Sequence, residues 1–153
     1  MNDHCAPVAG RAAERDEWGR TGLHYAAADV DLAALERWLA VENVNVADNN
    51  GWTPLHFGAQ AAAQQICERL LDAGADVHAL TARGMPPIYH AAMAHCRDPI
   101  ATIRILRARG ADPTRSTIRT YFGTCSPLEV IREVRNRPEI QSEFTDLLGQ
   151  GQP

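Results

Sequence analysis

Hydrophobic residues along this chain fall into paired stripes of helical spacing, divided by short polar stretches rich in Gly, Asn, Asp and Thr. The clearest pair follows Asp48-Asn49-Asn50-Gly51-Trp52, where Thr53-Pro54 opens a first short helix over Leu55-His56-Phe57-Gly58-Ala59. Proline suits a first helical turn because the amide hydrogen it lacks would be unpaired there anyway. A second stripe through Cys67, Leu70 and Leu71 ends at Gly74, whose missing Cβ permits the left-handed conformation that stops a helix. A turn, two helices and a glycine stop make one complete unit.

The unit recurs. Trp18-Gly19-Arg20-Thr21-Gly22-Leu23-His24 precedes it, with Gly19 32 residues before Gly51, and Arg83-Gly84-Met85-Pro86-Pro87-Ile88-Tyr89 follows, with Gly84 33 residues after Gly51. A weaker fourth copy opens at Ser126-Pro127-Leu128. A period near 33 around Thr-Pro-Leu-His resembles the ankyrin repeat, over roughly residues 16 to 148. That resemblance implies an all-α solenoid of about four helix-turn-helix repeats with short β-turn fingers and divergent capping ends. The expected layout is a tail or partly helical cap over 1–15, repeats at about 16–47, 48–80, 81–115 and 116–148, and a flexible end over 149–153.

The copies differ in telling ways. In the first, Leu23, Ala26 and Ala27 share a face, as do Leu32, Leu35, Trp38 and Leu39, but Gly22 stands where the family usually has proline. There Glu42-Asn43 replaces Gly-Ala-Asp, so Asn43 is expected in the left-handed turn that Gly74 makes next door. Between Gly84 and Gly110 lie 26 residues of spacing against 23 from Gly51 to Gly74, which puts three extra residues around His95-Cys96-Arg97-Asp98-Pro99. From Gly110 to Ser126 is 16 against 12 from Gly74 to Pro86, so four more fall within 113–124. Loops lengthened at one place in an array commonly belong to its binding side, although drift in a tolerant loop gives the same pattern. The last copy has stripes at Leu128, Ile131 and Val134, then Ile140, Phe144, Leu147 and Leu148 on a helix expected to start at Pro138.

Composition narrows the function. A chain of 153 residues buries about 70% of its unfolded surface, enough for one domain. The net charge of −4 argues against nucleic acid, and no apolar run approaches the roughly 18 residues of a membrane span. With no basic-then-apolar leader at the start, a cytoplasmic location is expected. All 15 basic residues are arginine, which removes P-loop lysine, Schiff-base and Ser-Lys chemistry and hints at a GC-rich bacterial genome.

The side chains offer little catalysis. His24 and His56 invite a metal or acid-base reading, but the resemblance implies that each bonds the threonine opening its helix and the turn backbone. Replacement of both partners together, by Pro86 and Tyr89, agrees with a paired structural contact. His90 matches Tyr25 and Phe57 at a packed position. Cys5, Cys67, Cys96 and Cys125 have no metal-ligand spacing, and Cys67 sits in an apolar stripe. A thiol- or metal-dependent enzyme built on His95, Cys96 and His90 is the weakest alternative, and no cofactor is expected.

In the family, the variable positions of the turn and first helix line one concave surface. Carried over, these are Glu17, Trp18, Arg20, Ala28 and Asp29, then Asn49, Asn50, Trp52, Gln60 and Ala61, then Ala82, Arg83, Met85, Met93 and Ala94. The partner-binding residues expected from this set are Trp18, Arg20, Asp29, Asn50, Trp52, Gln60, Arg83, Met85 and Met93, with Tyr121 and Phe122, flanked by Arg115 and Arg119, extending the surface. Trp, Arg and Tyr dominate interface energies, so a projecting row of them reads as a hot spot; the bland alternative folds each tryptophan onto its own turn. The expected function is a non-enzymatic protein-binding module, and more sharply a bacterial inhibitor or immunity protein occluding a cognate toxin or enzyme, the partner being a protein and neither nucleic acid nor membrane. A scaffold or regulatory subunit is the competing class. The chain is expected to be a monomer, with homodimerisation through the aromatic row as the alternative.

Overall fold

The first helix of each unit follows one extended residue, Thr21, Thr53, Pro86 or Ser126. In a computed structural model of the protein, which describes residues 14–134 and 136–149, these helices are α1 (Gly22–Ala28), α3 (Pro54–Gln60), α5 (Pro87–Met93) and α7 (Pro127–Glu133). Their second-layer partners are α2 (Leu32–Leu39), α4 (Gln64–Asp72), α6 (Pro99–Ala108) and the shorter pair α8 (Pro138–Ser142) and α9 (Thr145–Leu148). One two-stranded antiparallel hairpin, β1 (Ile118–Thr120) with β2 (Gly123–Cys125), lies between α6 and α7. The fold is thus an all-α solenoid with turn and hairpin fingers.

Two layers stack along the array. α1 packs on α3, α3 on α5 and α5 on α7, while α2, α4, α6 and α8 form the outer row. Leu23, Leu55, Ile88 and Ile131 from the inner row meet Leu35, Leu70, Ile103, Leu106, Ile140 and Phe144 from the outer in one continuous core, nearly all of them fully buried. Each such side chain contributes about 1.5–3 kcal/mol on burial, and no single repeat has enough of them to stand alone. In the first repeat a Cβ on Gly22 would lie 1.9 Å from the Trp38 ring, so the tryptophan fills the space that a proline would need.

Helix starts are secured in three ways. Thr21 and Thr53 cap α1 and α3 reciprocally with His24 and His56, and Ser126 caps α7 with Glu129, whose carboxylate accepts the Ser126 amide at 2.6 Å. α5 begins at Pro86-Pro87 with no side-chain cap. Its other end is held from a distance: Arg137 donates to the carbonyls of Ala92 and Ala94, satisfying groups that a short helix leaves unpaired.

Three details differ from the sequence expectation. Asn43 is not left-handed; its side chain accepts the Asn45 amide at 2.9 Å and closes a local turn instead. The three extra residues of the third repeat divide, two lengthening the linker between α5 and α6 and one lengthening α6 to 10 residues against 9 in α4. The helix expected from Pro138 onward breaks into α8 and α9 where the Glu143 and Phe144 amides tighten onto the carbonyls three residues back, Ile140 and Gln141, and Arg107 donates to the Glu143 carbonyl there. The tail or cap over 1–15 lies outside the described residues except at Glu14 and Arg15, neither of which is helical, and 150–153 lie outside them too.

Candidate functional site

The fingers are built on local hydrogen bonds that leave their tips free. Asp16 accepts the amides of Trp18 and Arg20 at 2.9 and 2.8 Å, and Asp48 accepts those of Asn50 and Trp52 at 2.9 Å each. Thr81 does the same work for Met85 in the third finger. Adjacent fingers then join edge to edge, Asn49 N–H donating to Trp18 O, Ala82 to Asn50 O and Arg119 to Arg83 O, each at 2.8 Å. Gly84, at φ 77°, permits the last of these joints: a Cβ there would lie 1.7 Å from the Thr117 carbonyl oxygen.

Beneath the fingers the inner helices are tied by histidine. The Thr21 amide must donate to His24 Nδ1 (3.1 Å), so the ring proton sits on Nε2, which donates to the Trp52 carbonyl of the next finger at 3.0 Å. His56 repeats this with Thr53 (3.1 Å) and the Met85 carbonyl (3.1 Å). Burial holds both rings neutral, lowering His24 and taking His56 down to about 4. These two residues are structural joints between repeats.

Across the face of those joints runs a chain of rings and one guanidinium. Arg20 lies 5.5 Å from the Trp18 ring and 5.1 Å from the Phe57 ring while pairing with Asp48 at 3.3 Å. Trp52 continues the row, 5.2 Å from Phe57 and 4.2 Å from His90, and Tyr89 stands 5.3 Å beyond His90. His90 is buried and its Nε2 has no hydrogen-bond partner among the described residues; burial first, then His56, depress it to about 3. An unpaired buried ring nitrogen costs about 1–3 kcal/mol, a cost that the contact with Trp52 does not remove.

The expected site residues distribute unevenly. Trp18 is 49% exposed, whereas Trp52 and Met85 are half-buried, so the tryptophan that projects is Trp18 and Trp52 packs over His90 as a floor of the same surface. Its indole is drawn inward by Phe57 and His90, which stand on the helices behind it. Asp29, Asn50, Gln60 and Arg83 are exposed, and Arg20 and Met93 are half-buried. Tyr121 and Phe122 occupy the tip of the β1–β2 hairpin, 96% and 95% exposed, their rings edge to face at 5.2 Å. The four extra residues thus build a fourth finger longer than the other three. Phe57 and Tyr89 belong to the row and were missed as surface residues, since their helix positions mark them equally well as core.

His95 and Cys96 are exposed in the α5–α6 linker, where Cys96 Sγ approaches the Ala61 carbonyl at 3.5 Å, while His90 lies under Trp52. Among the described residues no group of three or more His, Cys, Asp or Glu side chains is placed to hold a metal ion. Burial pushes the Cys67 thiol up to about 12, which makes it inert as a nucleophile. No helix among the described residues is long and apolar enough to cross a membrane.

Comparison with known proteins agrees with this architecture. The family described as ankyrin repeats (3 copies) matches residues 6–81 and 23–117. Human BCL-6 corepressor-like protein 1 is 35% identical over 115 residues, 72% of this chain and 6% of that protein. Mouse RelA-associated inhibitor is 35% identical over 82 residues, 53% of this chain and 9% of that protein. Palmitoyltransferase AKR1 of Lachancea kluyveri is 37% identical over 70 residues, 45% of this chain and 10% of that protein. The chain therefore spans a tenth or less of the curated relatives it matches.

Proposed function

Because the chain belongs to the ankyrin-repeat family, generally non-catalytic protein-binding modules, we propose that it binds another protein across the finger row and the inner helices. Trp18, Arg20, Asn50, Trp52, Arg83 and Met85 supply contacts from the first three fingers, Asp29, Gln60 and Met93 from the helix ends, and Tyr121 and Phe122 from the fourth. The observation that carries this reading is the exposure of Trp18 at one end and of Tyr121 and Phe122 at the other, with a stacked floor between them. Tyr121 and Phe122 are almost wholly exposed, Trp18 leaves half of its surface to solvent, and each brings large contact area at small conformational cost.

The finer role is occlusion: a monomeric cytoplasmic inhibitor that covers the active surface of a toxin or enzyme. One relative is, by its name, an inhibitor associated with RelA. The relatives come from human, mouse and Lachancea kluyveri, so pairing with a bacterial toxin rests on the arginine-only composition and on analogy. A scaffold role within a larger assembly is the second reading, favoured by the small fraction of each relative that the alignment covers. Affinity capture with mass spectrometry, followed by sedimentation of the purified complex and assay of the captured protein, separates them. Occlusion requires a one-to-one complex in which that protein's activity is lost; a complex of retained activity supports the scaffold, and capture of no protein sinks both.

A further inference from the structure

The fourth finger carries features that folding does not explain. Arg83 and Arg119 sit on neighbouring fingers joined by the Arg119 N–H to Arg83 O bond of 2.8 Å, both exposed, and neither has an ion pair among the described residues. Arg115 stands exposed nearby, and the Asp112 carboxylate within its electrostatic reach is already engaged by Thr114 at 2.6 and 2.9 Å. Elsewhere the arginines Arg20, Arg69, Arg104, Arg107, Arg109 and Arg137 each meet a carboxylate. Arg15, Arg37, Arg97 and Arg132 are likewise exposed and outside any ion pair among the described residues, but Arg119 shares its hairpin with Tyr121 and Phe122, the two most exposed aromatic side chains, and Arg83 is joined to it through the backbone.

The hairpin is also fixed in shape before anything binds. Thr120 Oγ1 donates to the Gly123 carbonyl at 2.8 Å and accepts the Phe122 amide at 3.3 Å, so the tip presents Tyr121 and Phe122 as a preassembled pair. Rigid presentation reduces the ordering cost of binding. Ile118 anchors β1 in the interior, which turns Arg119, the residue opposite Thr124, to the outer face of the hairpin.

We propose that the fourth finger recognises an acidic, extended segment of the partner protein, its carboxylates against Arg83 and Arg119 and an apolar residue against Tyr121 and Phe122. This rests on the protein-binding reading and names the chemistry of the partner at one end of the row. Charge complementarity chooses the occupant. A second copy of the chain would bring the same arginines face to face. Nucleic acid or an anionic membrane would present an extended negative surface to a protein whose net charge is itself negative.

The test is fluorescence anisotropy with the intact chain and a labelled short peptide alternating acidic and apolar residues. Its comparators are the same peptide with lysine for each acid, oligothymidine, and phosphatidylserine vesicles. The acidic peptide is expected to bind, more weakly as salt rises, and to lose at least about tenfold in affinity with Arg83→Glu/Arg119→Glu and with Tyr121→Ala/Phe122→Ala. All four side chains are exposed, so circular dichroism of both variants should match the parent. Equal binding of the lysine peptide, tighter binding of oligothymidine or vesicles, or unchanged affinity in both variants overturns the proposal. The broader reading fails separately: it falls if a Trp18→Ala/Trp52→Ala variant captures the same protein as well as the parent does.

Discussion

The outer row of helices and the last two fingers place the same residue type in opposite ways. On the outside, Arg69 reaches back to Glu36, Arg109 to Asp72, and Arg104 bridges to Glu143 at 2.7 and 2.8 Å, so each cation binds the neighbouring repeat. On the fingers, Arg20 still pairs with Asp48 at 3.3 Å, but Arg83, Arg115 and Arg119 have no such carboxylate within ion-pair distance among the described residues. A solenoid must hold its repeats together somewhere, and this one does so with its helices and histidines. If the finger tips are the recognition surface proposed above, substitutions on the two sides should separate cleanly.

The largest effect belongs to the joints. His56→Ala removes the acceptor for Thr53 and the donor to Met85 from a fully buried site, and equilibrium urea unfolding should show a loss of about 3 kcal/mol or more. Arg83→Ala on the finger side should stay within about 0.5 kcal/mol. Comparable losses from both would erase the distinction.

Acid should act on the same side. His56 and His90, at about 4 and about 3 against an ordinary 6.5, bind protons more weakly folded than unfolded. Their stabilisation is therefore complete above pH 7 and is lost as pH falls from about 6.5 through those lower values, His56 alone accounting for about 3 kcal/mol. Denaturant midpoints measured between pH 7.5 and pH 4 test this. His90→Phe, which copies Phe57 of the preceding repeat, should raise stability at pH 7 by about 1 kcal/mol and flatten the decline. A variant that loses stability would mean that Nε2 has a partner.

A third effect concerns backbone strain between helices. Val30, Ala62 and Arg97 each precede the N-cap of a second helix, and each is left-handed, at φ 59°, 49° and 53°. Val30 packs against the core, but Arg97 is exposed, so Arg97→Gly should stabilise by up to about 1 kcal/mol, read as a rise of about 2–4 °C in the melting midpoint. The smallest effects sharpen the opening contrast most finely. Arg109→Ala should cost at most about 1 kcal/mol, vanishing in high salt, whereas Arg119→Ala should be neutral or gain a few tenths.

Much of the architecture was legible because the repeat carries its own chemistry. Thr53-Pro54 and Gly74 announce a helix start and a helix stop, and the joint loss of threonine and histidine at Pro86 and Tyr89 betrays a paired contact. The strained linkers were not legible, since no glycine marks Val30, Ala62 or Arg97. Nor was the break before α9, where Arg107, 36 residues away in sequence, donates to the Glu143 carbonyl. At the candidate site, Trp18, Tyr121 and Phe122 stand out as expected, while the inward set of Trp52 came from Phe57 and His90, whose helix positions say nothing of how far a neighbouring indole will lean.

The central claim is that the finger tips are the recognition surface, while the inner-row histidines, the backbone joints between fingers and the outer-helix ion pairs hold the repeats together. Its most direct test is side-by-side affinity capture with quantitative mass spectrometry of the parent chain, Trp18→Ala/Phe122→Ala and Arg69→Ala/Arg109→Ala. The finger variant should lose the partner that the parent and the outer-helix variant both retain; retention by the finger variant with loss by the outer-helix variant would contradict the claim.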